Sequence, residues 1–198
     1  MQWRYPDRPM RIFSLRMVKD GEWMSQTKYD GHFAVIIKEG KFSVMSRHKN
    51  KLPISPAMLG SIEKLDIPDC TVLHGEWTSR RQSNKEEALY LFSAAYWNSE
   101  WLGPKGEEDR YKLVQSITLV DNIYIVENRC SGYAKHYKST INDWKTEGIV
   151  LKRRNGKMIG SMSNESMDNS ALLKLKWRSG QGGDSIEIVP DDNLKCAP

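Results

Sequence analysis

Residues 26–33 read QTKYDGHF, with Lys28 two positions ahead of an Asp30-Gly31 pair. The flanking runs WMSQTKY (23–29) and HFAVIIK (32–38) are apolar or alternating, and the Asp-Gly pair predicts the turn between two strands. A solvated strand lysine needs no such company. A lysine that acts as a nucleophile does, and that question organises the rest of the chain.

Outward from this stretch, KFSVMSR (41–47) follows HFAVIIK through KEGK, a hairpin turn around Gly40. Pro56 opens a helix over PAMLGSIEKL (56–65), since proline suits the first helical turn and the apolar spacing is helical. TVLHGEWTS (71–79) and ALYLFSAAYW (88–97) read as strands, the second a buried one. EEDRYKLVQSITLV (107–120) predicts an amphipathic helix whose acids complement the dipole of its first turn. NIYIVEN (122–128) is a strand, and Ser131 caps a helix running to about Trp144. EGIVLKRR (147–154), a turn at Asn155-Gly156, KMIGSM (157–162) and ALLKLKWR (171–178) supply the closing strands. The first twenty residues, with Pro6 and Pro9, read as an irregular lead-in, and RSGQGGDS (178–185) as a linker. Hairpins alternating with separate helices give an α+β class with largely antiparallel sheets.

At 198 residues the chain suffices for one sizeable domain, and 39% hydrophobic with 28% charged residues is ordinary for a globular protein. No apolar run approaches the length of a membrane span, and the start lacks a signal-peptide pattern. Cys70, Cys130 and Cys196 are odd in number and scattered, which fits reduced cytosolic thiols rather than a disulfide framework or a zinc site. A net charge of +5 permits a polyanionic partner. The runs SRHKNK (46–51), SRRQSNK (79–85) and LKRRNGK (151–157) read either as solvated loops or as parts of a phosphate-facing surface.

Four segments place ionisable side chains inside apolar strands: KYDG (28–31), HGEW (74–77), EGIVLK (147–152) and LLKLKW (172–177). Strand charges that become buried are costly unless paired. Taken one at a time each has a plain reading: a turn for Asp30-Gly31, outward-facing positions for Glu76 and Glu147, a wet strand face for Lys174 and Lys176. Taken in this order and spacing, the set resembles the adenylylation domain of the covalent nucleotidyltransferases, the superfamily of ATP-dependent polynucleotide ligases and mRNA capping enzymes. The resemblance runs from about Trp23 to Arg178.

It implies an ATP-grasp-like nucleotidyltransferase fold of two antiparallel sheets flanked by helices, with a nucleotide groove between them. Residues 1–178 would form that domain and 179–198 a linker and tail. Lys28 resembles the lysine that attacks the α-phosphate of ATP to give a lysyl–AMP phosphoramide. That chemistry needs a neutral amine, whereas a free lysine titrates near ~10.4, so cationic neighbours and partial burial are implied. Lys174 and Lys176 resemble the paired lysines that neutralise the phosphorus oxygens, and Asp30 the acid near the amine and the leaving group. Gly31 would let the backbone approach the nucleotide. Glu147 resembles the carboxylate that holds Mg²⁺ against the phosphates. Glu76 resembles the ribose ligand, Arg47 the phosphate-binding arginine of an SR element, and Gln26 the residue that reads the adenine amino group. Lys152 is placed to reach phosphate. Phe92 resembles the ring that stacks on adenine, with an ordinary core phenylalanine as the equal alternative. Arg110 fits a structural position.

Three departures stand out. Phe33 replaces the arginine of the ligase pattern KxDGxR, Ser93 stands where many ligases have aspartate, and no C-terminal OB domain follows, although DSIEIVP (184–190) resembles the first strand of one. The resemblance implies a minimal DNA ligase that seals 3′-OH/5′-phosphate nicks, of viral type and acting in the cytoplasm as a monomer. Its partner would be nicked duplex DNA. An RNA ligase is the nearest rival, raised by Phe33, and a non-catalytic nucleic-acid-binding relative is a third reading.

Overall fold

The computed structural model describes residues 2–79, 87–162 and 165–177. Most of SRRQSNK, the tail from Arg178, DSIEIVP and Cys196 lie outside the described residues. In chain order the elements are β1 (Arg8–Arg11), β2 (Trp23–Tyr29), β3 (His32–Glu39), β4 (Lys41–Ser46), α1 (Pro56–Glu63), β5 (Thr71–Thr78), β6 (Ala88–Trp97), β7 (Glu100–Trp101), α2 (Glu107–Gln115), β8 (Ile123–Ile125), α3 (Tyr133–Thr140), β9 (Thr146–Arg153) and β10 (Asp168–Lys176).

The strands form two sheets. One has four strands in the order β1-β10-β9-β2; the other has six, in the order β4-β3-β5-β6-β7 with β8 beside β6. Neighbours are antiparallel except for β1 on β10 and β8 on β6. HFAVIIK lacks alternation because β3 is buried on both faces. Ala34 and Ile36 join Leu73, Met58 and Val114 in one cluster, under α1 and α2, while Val35 and Ile37 join Val72, Ala95 and Trp3 in another. A third cluster, Trp23, Tyr133, Tyr137, Ile149, Leu151 and Leu175, packs α3 against the four-stranded sheet. Each sheet therefore carries its own core, and the groove lies between them.

Local chemistry sets the helix ends. Ser55 caps α1, its Oγ accepting from the Met58 N–H at 3.1 Å, and Pro56 follows as the pattern predicts. Helix α2 stops at Gln115 rather than reaching Val120. Ser116 turns its Oγ back on the Leu113 carbonyl, and Ile117 is drawn into the core. Helix α3 starts from Gly132, in the left-handed region, rather than from Ser131, and ends at Thr140 before Asn142, also left-handed.

Two other segments differ from expectation. The lead-in contains a true strand, β1, parallel to β10. KMIGSM forms only an isolated bridge, Tyr5 to Ser161. Its Ile159 and Gly160 amides donate instead to the buried Asp7 carboxylate, both at 2.8 Å, so a side chain replaces the ladder.

Candidate active site

The register of the four-stranded sheet assembles the ionic centre. Lys28 of β2 and Lys176 of β10 both lie opposite Gly148 of β9, one on each side. Next to it, Glu147 accepts from both ammonium groups: Lys28 Nζ bonds Oε1 and Lys176 Nζ bonds Oε2. Gly148 makes this closeness possible. Its φ is +140°, and a Cβ there would lie 2.0 Å from the Leu175 carbonyl oxygen. Burial works to raise the Glu147 pKa, but Lys28 and Lys176 outweigh it and hold the carboxyl below its ordinary value. Lys174 lies two residues from Lys176 on the same strand face. Burial, and then the charges of Lys176, Lys28 and Arg47, lower its pKa.

The six-stranded sheet supplies the opposite wall. Glu76 lies across from Phe33, and burial pushes its carboxyl up to about 7 against the pull of Lys28 and Arg47 and the Gly31 N–H. A Cβ at Gly31 would lie 2.6 Å from the Trp77 carbonyl oxygen and 3.0 Å from Glu76 Cγ. This glycine thus packs β2–β3 onto β5, at the back of Glu76. Phe33, in the place of the arginine, carries the Arg47 guanidinium over its ring at 4.8 Å and sets its edge to Phe92 at 5.6 Å. Phe92 lines the groove with Phe33, Arg47, Glu76, Lys28 and Gln26 rather than sinking into a core cluster.

Below Phe92 the groove ends in a buried polar network. Gln26 Nε2 and Lys152 Nζ both donate to the Phe92 carbonyl oxygen, at 3.3 and 3.1 Å. Lys152 also donates to Glu107 Oε1 at 2.6 Å, and its ammonium lies 4.7 Å from the Phe92 ring centre. Glu107 Oε2 accepts from Arg110 Nε at 3.1 Å and from the Ser93 hydroxyl at 3.3 Å. Lys152 thereby enters the wall as a partner of Glu107, and burial lowers its pKa despite that pairing. Ser93 meets a carboxylate delivered by α2 where many ligases carry their own. Arg110 is structural, as its spacing suggests.

Behind β2, His136 of α3 contacts Ser25 Oγ through Nδ1 at 2.7 Å and Thr27 Oγ1 through Nε2 at 3.0 Å, fixing the strand face opposite Gln26 and Lys28. Across the groove mouth Tyr29 stacks on Tyr90 at 3.7 Å, and Tyr90 on Tyr124 at 5.4 Å. Asp30 is exposed at the β2–β3 turn, where its N–H donates to the Lys145 carbonyl at 2.9 Å, and it does not line the groove. Sequence reasoning passed over His74, Glu107, His136 and the tyrosines. Only Glu107 had a local signal, an acid three residues before Arg110 in a first helical turn.

The groove is partly open to solvent, and its empty space, open solvent included, comes to about 800 Å³. Among the described residues no cluster of three or more His, Cys, Asp or Glu side chains is arranged for a metal. Mg²⁺ is commonly bound through one or two carboxylates together with substrate phosphates, and both oxygens of Glu147, the carboxylate of this centre, already accept from Lys28 and Lys176.

No protein-family model matches the sequence, and no curated protein matches it. Solved structures do match its fold. A mycobacterial DNA ligase D complexed with ATP and MES superposes with a TM-score of 0.67 at 16% identity, over 88% of this chain and 60% of that one. The Chlorella virus DNA ligase-adenylate gives 0.56 at 12% identity, over 86% and 68%. An archaeal ATP-dependent RNA ligase gives 0.54 at 15% identity, over 84% and 46%. The chain thus spans 60% of the length of the ligase D structure. The fold of this chain, two sheets with a groove between them, therefore matches the nucleotidyltransferase-domain fold of these ATP-dependent ligase structures.

Proposed function

We propose that this chain is the adenylylation domain of an ATP-dependent polynucleotide ligase, with Lys28 as the nucleophile. The observation that carries this reading is the placement of Lys28, which lines the groove between the sheets, on Glu147, with Lys176 on the other carboxylate oxygen. The Lys28 ammonium, paired with Glu147 in this structure, first gives its proton to solvent. The amine nitrogen then attacks the α-phosphorus of ATP. An N–P bond forms, the P–O bond to the β-phosphate breaks, and pyrophosphate leaves with the electron pair. Lys174, Lys176 and Arg47 stabilise the charge that gathers on the phosphate oxygens. Glu147 would hold Mg²⁺, and the ion would add to the neutralisation of phosphate charge.

Glu76 holds the ribose hydroxyls, Phe92 stacks on the adenine, and the Gln26 amide, held by the Phe92 carbonyl, reads the base edge. Asp30, at the exposed turn, belongs to the rim that meets the second substrate. That substrate is a nicked duplex. Its 5′-phosphate takes AMP from Lys28, and the 3′-OH then closes the phosphodiester and releases AMP. DNA is the preferred strand. Phe33 favours RNA as the second reading, because the arginine it replaces commonly engages the strand or ribose in DNA ligases.

Mass spectrometry after incubation with ATP and Mg²⁺ tests the first step. We expect one AMP adduct, on Lys28, absent from Lys28→Ala. No adduct, with nucleic-acid binding retained, would identify a non-catalytic relative. Sealing of nicked RNA but not nicked DNA would reverse the strand preference.

A further inference from the structure

The polar network at the end of the groove leaves one member out. His74 of β5 is 3% exposed and lines the groove, and its Nε2 is buried with no hydrogen-bond partner among the described residues. Buried polar atoms are nearly always paired, so an orphan on a residue that lines a ligand groove is informative. The pairing of β5 with β6 slips at this point. His74 lies opposite Ser93 and Gly75 opposite Leu91, which makes Phe92 the extra residue of a bulge. Bulges re-aim side chains beside functional sites. The slip brings the Phe92 ring and the His74 ring onto the same groove end, with Phe33 at 5.2 Å from His74.

The surroundings select the kind of group that meets Nε2. Burial, and then the nearby Lys152, keeps the imidazole neutral, so one ring nitrogen donates and the other accepts. A neutral ring flanked by two phenylalanines suits a flat heteroaromatic ring better than a phosphate. Of the cations nearby, Lys152 and Arg110 are engaged by Glu107 and Arg47 lies over the Phe33 ring, while Lys28 and Lys176 stand apart on Glu147. We propose that His74 is a specificity-determining residue that hydrogen-bonds a heteroatom of the nucleobase through Nε2. This rests on the adenylylation reading and adds to it a second base-reading residue beside Gln26.

The test compares the full chain with His74→Leu, measuring affinity for ATP, 1-deaza-ATP, 7-deaza-ATP and purine riboside triphosphate by calorimetry. The wild-type protein should lose about tenfold or more on at least one analogue, as for one hydrogen bond removed. His74→Leu should lose a similar factor on ATP and no longer distinguish that analogue from ATP. The melting temperature of the ligand-free variant should stay level or rise, since an unpaired polar atom has been removed; a structural role would lower it. His74→Gln carries the same comparison if the leucine variant does not fold. A variant that binds ATP as tightly as wild type, or that keeps the wild-type penalty on every analogue, overturns the proposal while leaving the Lys28 adduct intact. A wild-type chain that neither binds ATP nor forms the adduct overturns the adenylylation reading as well.

Discussion

Glu76 carries a carboxyl raised from its ordinary 4.5 to about 7, in the position assigned to the ribose hydroxyls. An unfolded chain ionises this group near its ordinary value, so between about pH 4.5 and 7 the folded protein binds the extra proton. Its contribution to stability is therefore whole below that window and is lost as pH rises through it, by on the order of 3 kcal/mol at most. His136 works in the other direction. Burial lowers its pKa to about 4, so its neutral form stabilises the fold above 6.5 and that contribution is lost as pH falls towards 4. The two slopes oppose each other in the whole protein and are separated by substitution. Glu76→Gln should gain stability over wild type progressively from pH 5 to pH 8 in urea unfolding, and a flat difference would show that the carboxyl is not raised. Neither residue announces this in the sequence. HGEW is legible as a strand bearing a carboxylate, but whether His74 and Glu76 face solvent or the groove is settled by which strands flank β5.

At the scale of elements, strand β9 organises the site, because Lys28 and Lys176 reach Glu147 only if β2 and β10 close on it from both sides. Gly148→Ala sets a Cβ against the β10 backbone, and the strand has to yield. We expect a stability loss of about 1–3 kcal/mol together with loss of the lysyl–AMP adduct, read by urea unfolding and mass spectrometry. A variant with wild-type stability and full adduct would show that β10 accommodates the methyl group. Most of these elements were legible in the sequence, since β2, β4, β5 and β9 carry clear alternation or apolar runs and α1 carries its opening proline. Strand β1 was not. RPMR has no alternation, and its partner lies about 160 residues further along the chain, where no local pattern points to it. The carboxylate of Glu107 escaped notice for a related reason. An acid in a first helical turn is ordinary until Lys152, 45 residues later, is found against it.

On the scale of the whole molecule, the two sheets have separate cores, and a nucleotide bound in the groove would contact both. Ligand that binds only the folded form stabilises it by mass action. ATP at about a hundred times its Kd should add about 2.7 kcal/mol, which corresponds to a melting shift of about 5–11 °C in a domain of this size. A shift that persists with the Lys28→Ala variant would show binding without chemistry, and no shift in either protein would remove the nucleotide reading. The basic character of the chain is partly consumed by folding. Arg154 forks onto Glu108 at 2.8 Å, and Lys49 donates to the Trp3 carbonyl at 2.9 Å, so these two members of the basic runs serve the fold itself.

The tyrosine stack across the groove mouth ties these scales together. Tyr29 follows the proposed nucleophile on one sheet and lies face to face with Tyr90 on the other, while Tyr124 extends the row to an exposed ring. Because the first pair spans the sheets, the row acts as a built-in ruler for their separation. Any opening of the mouth parts two coupled chromophores. Near-ultraviolet circular dichroism can then follow the width of the groove in the unlabelled protein, with Tyr90→Leu as the silent control.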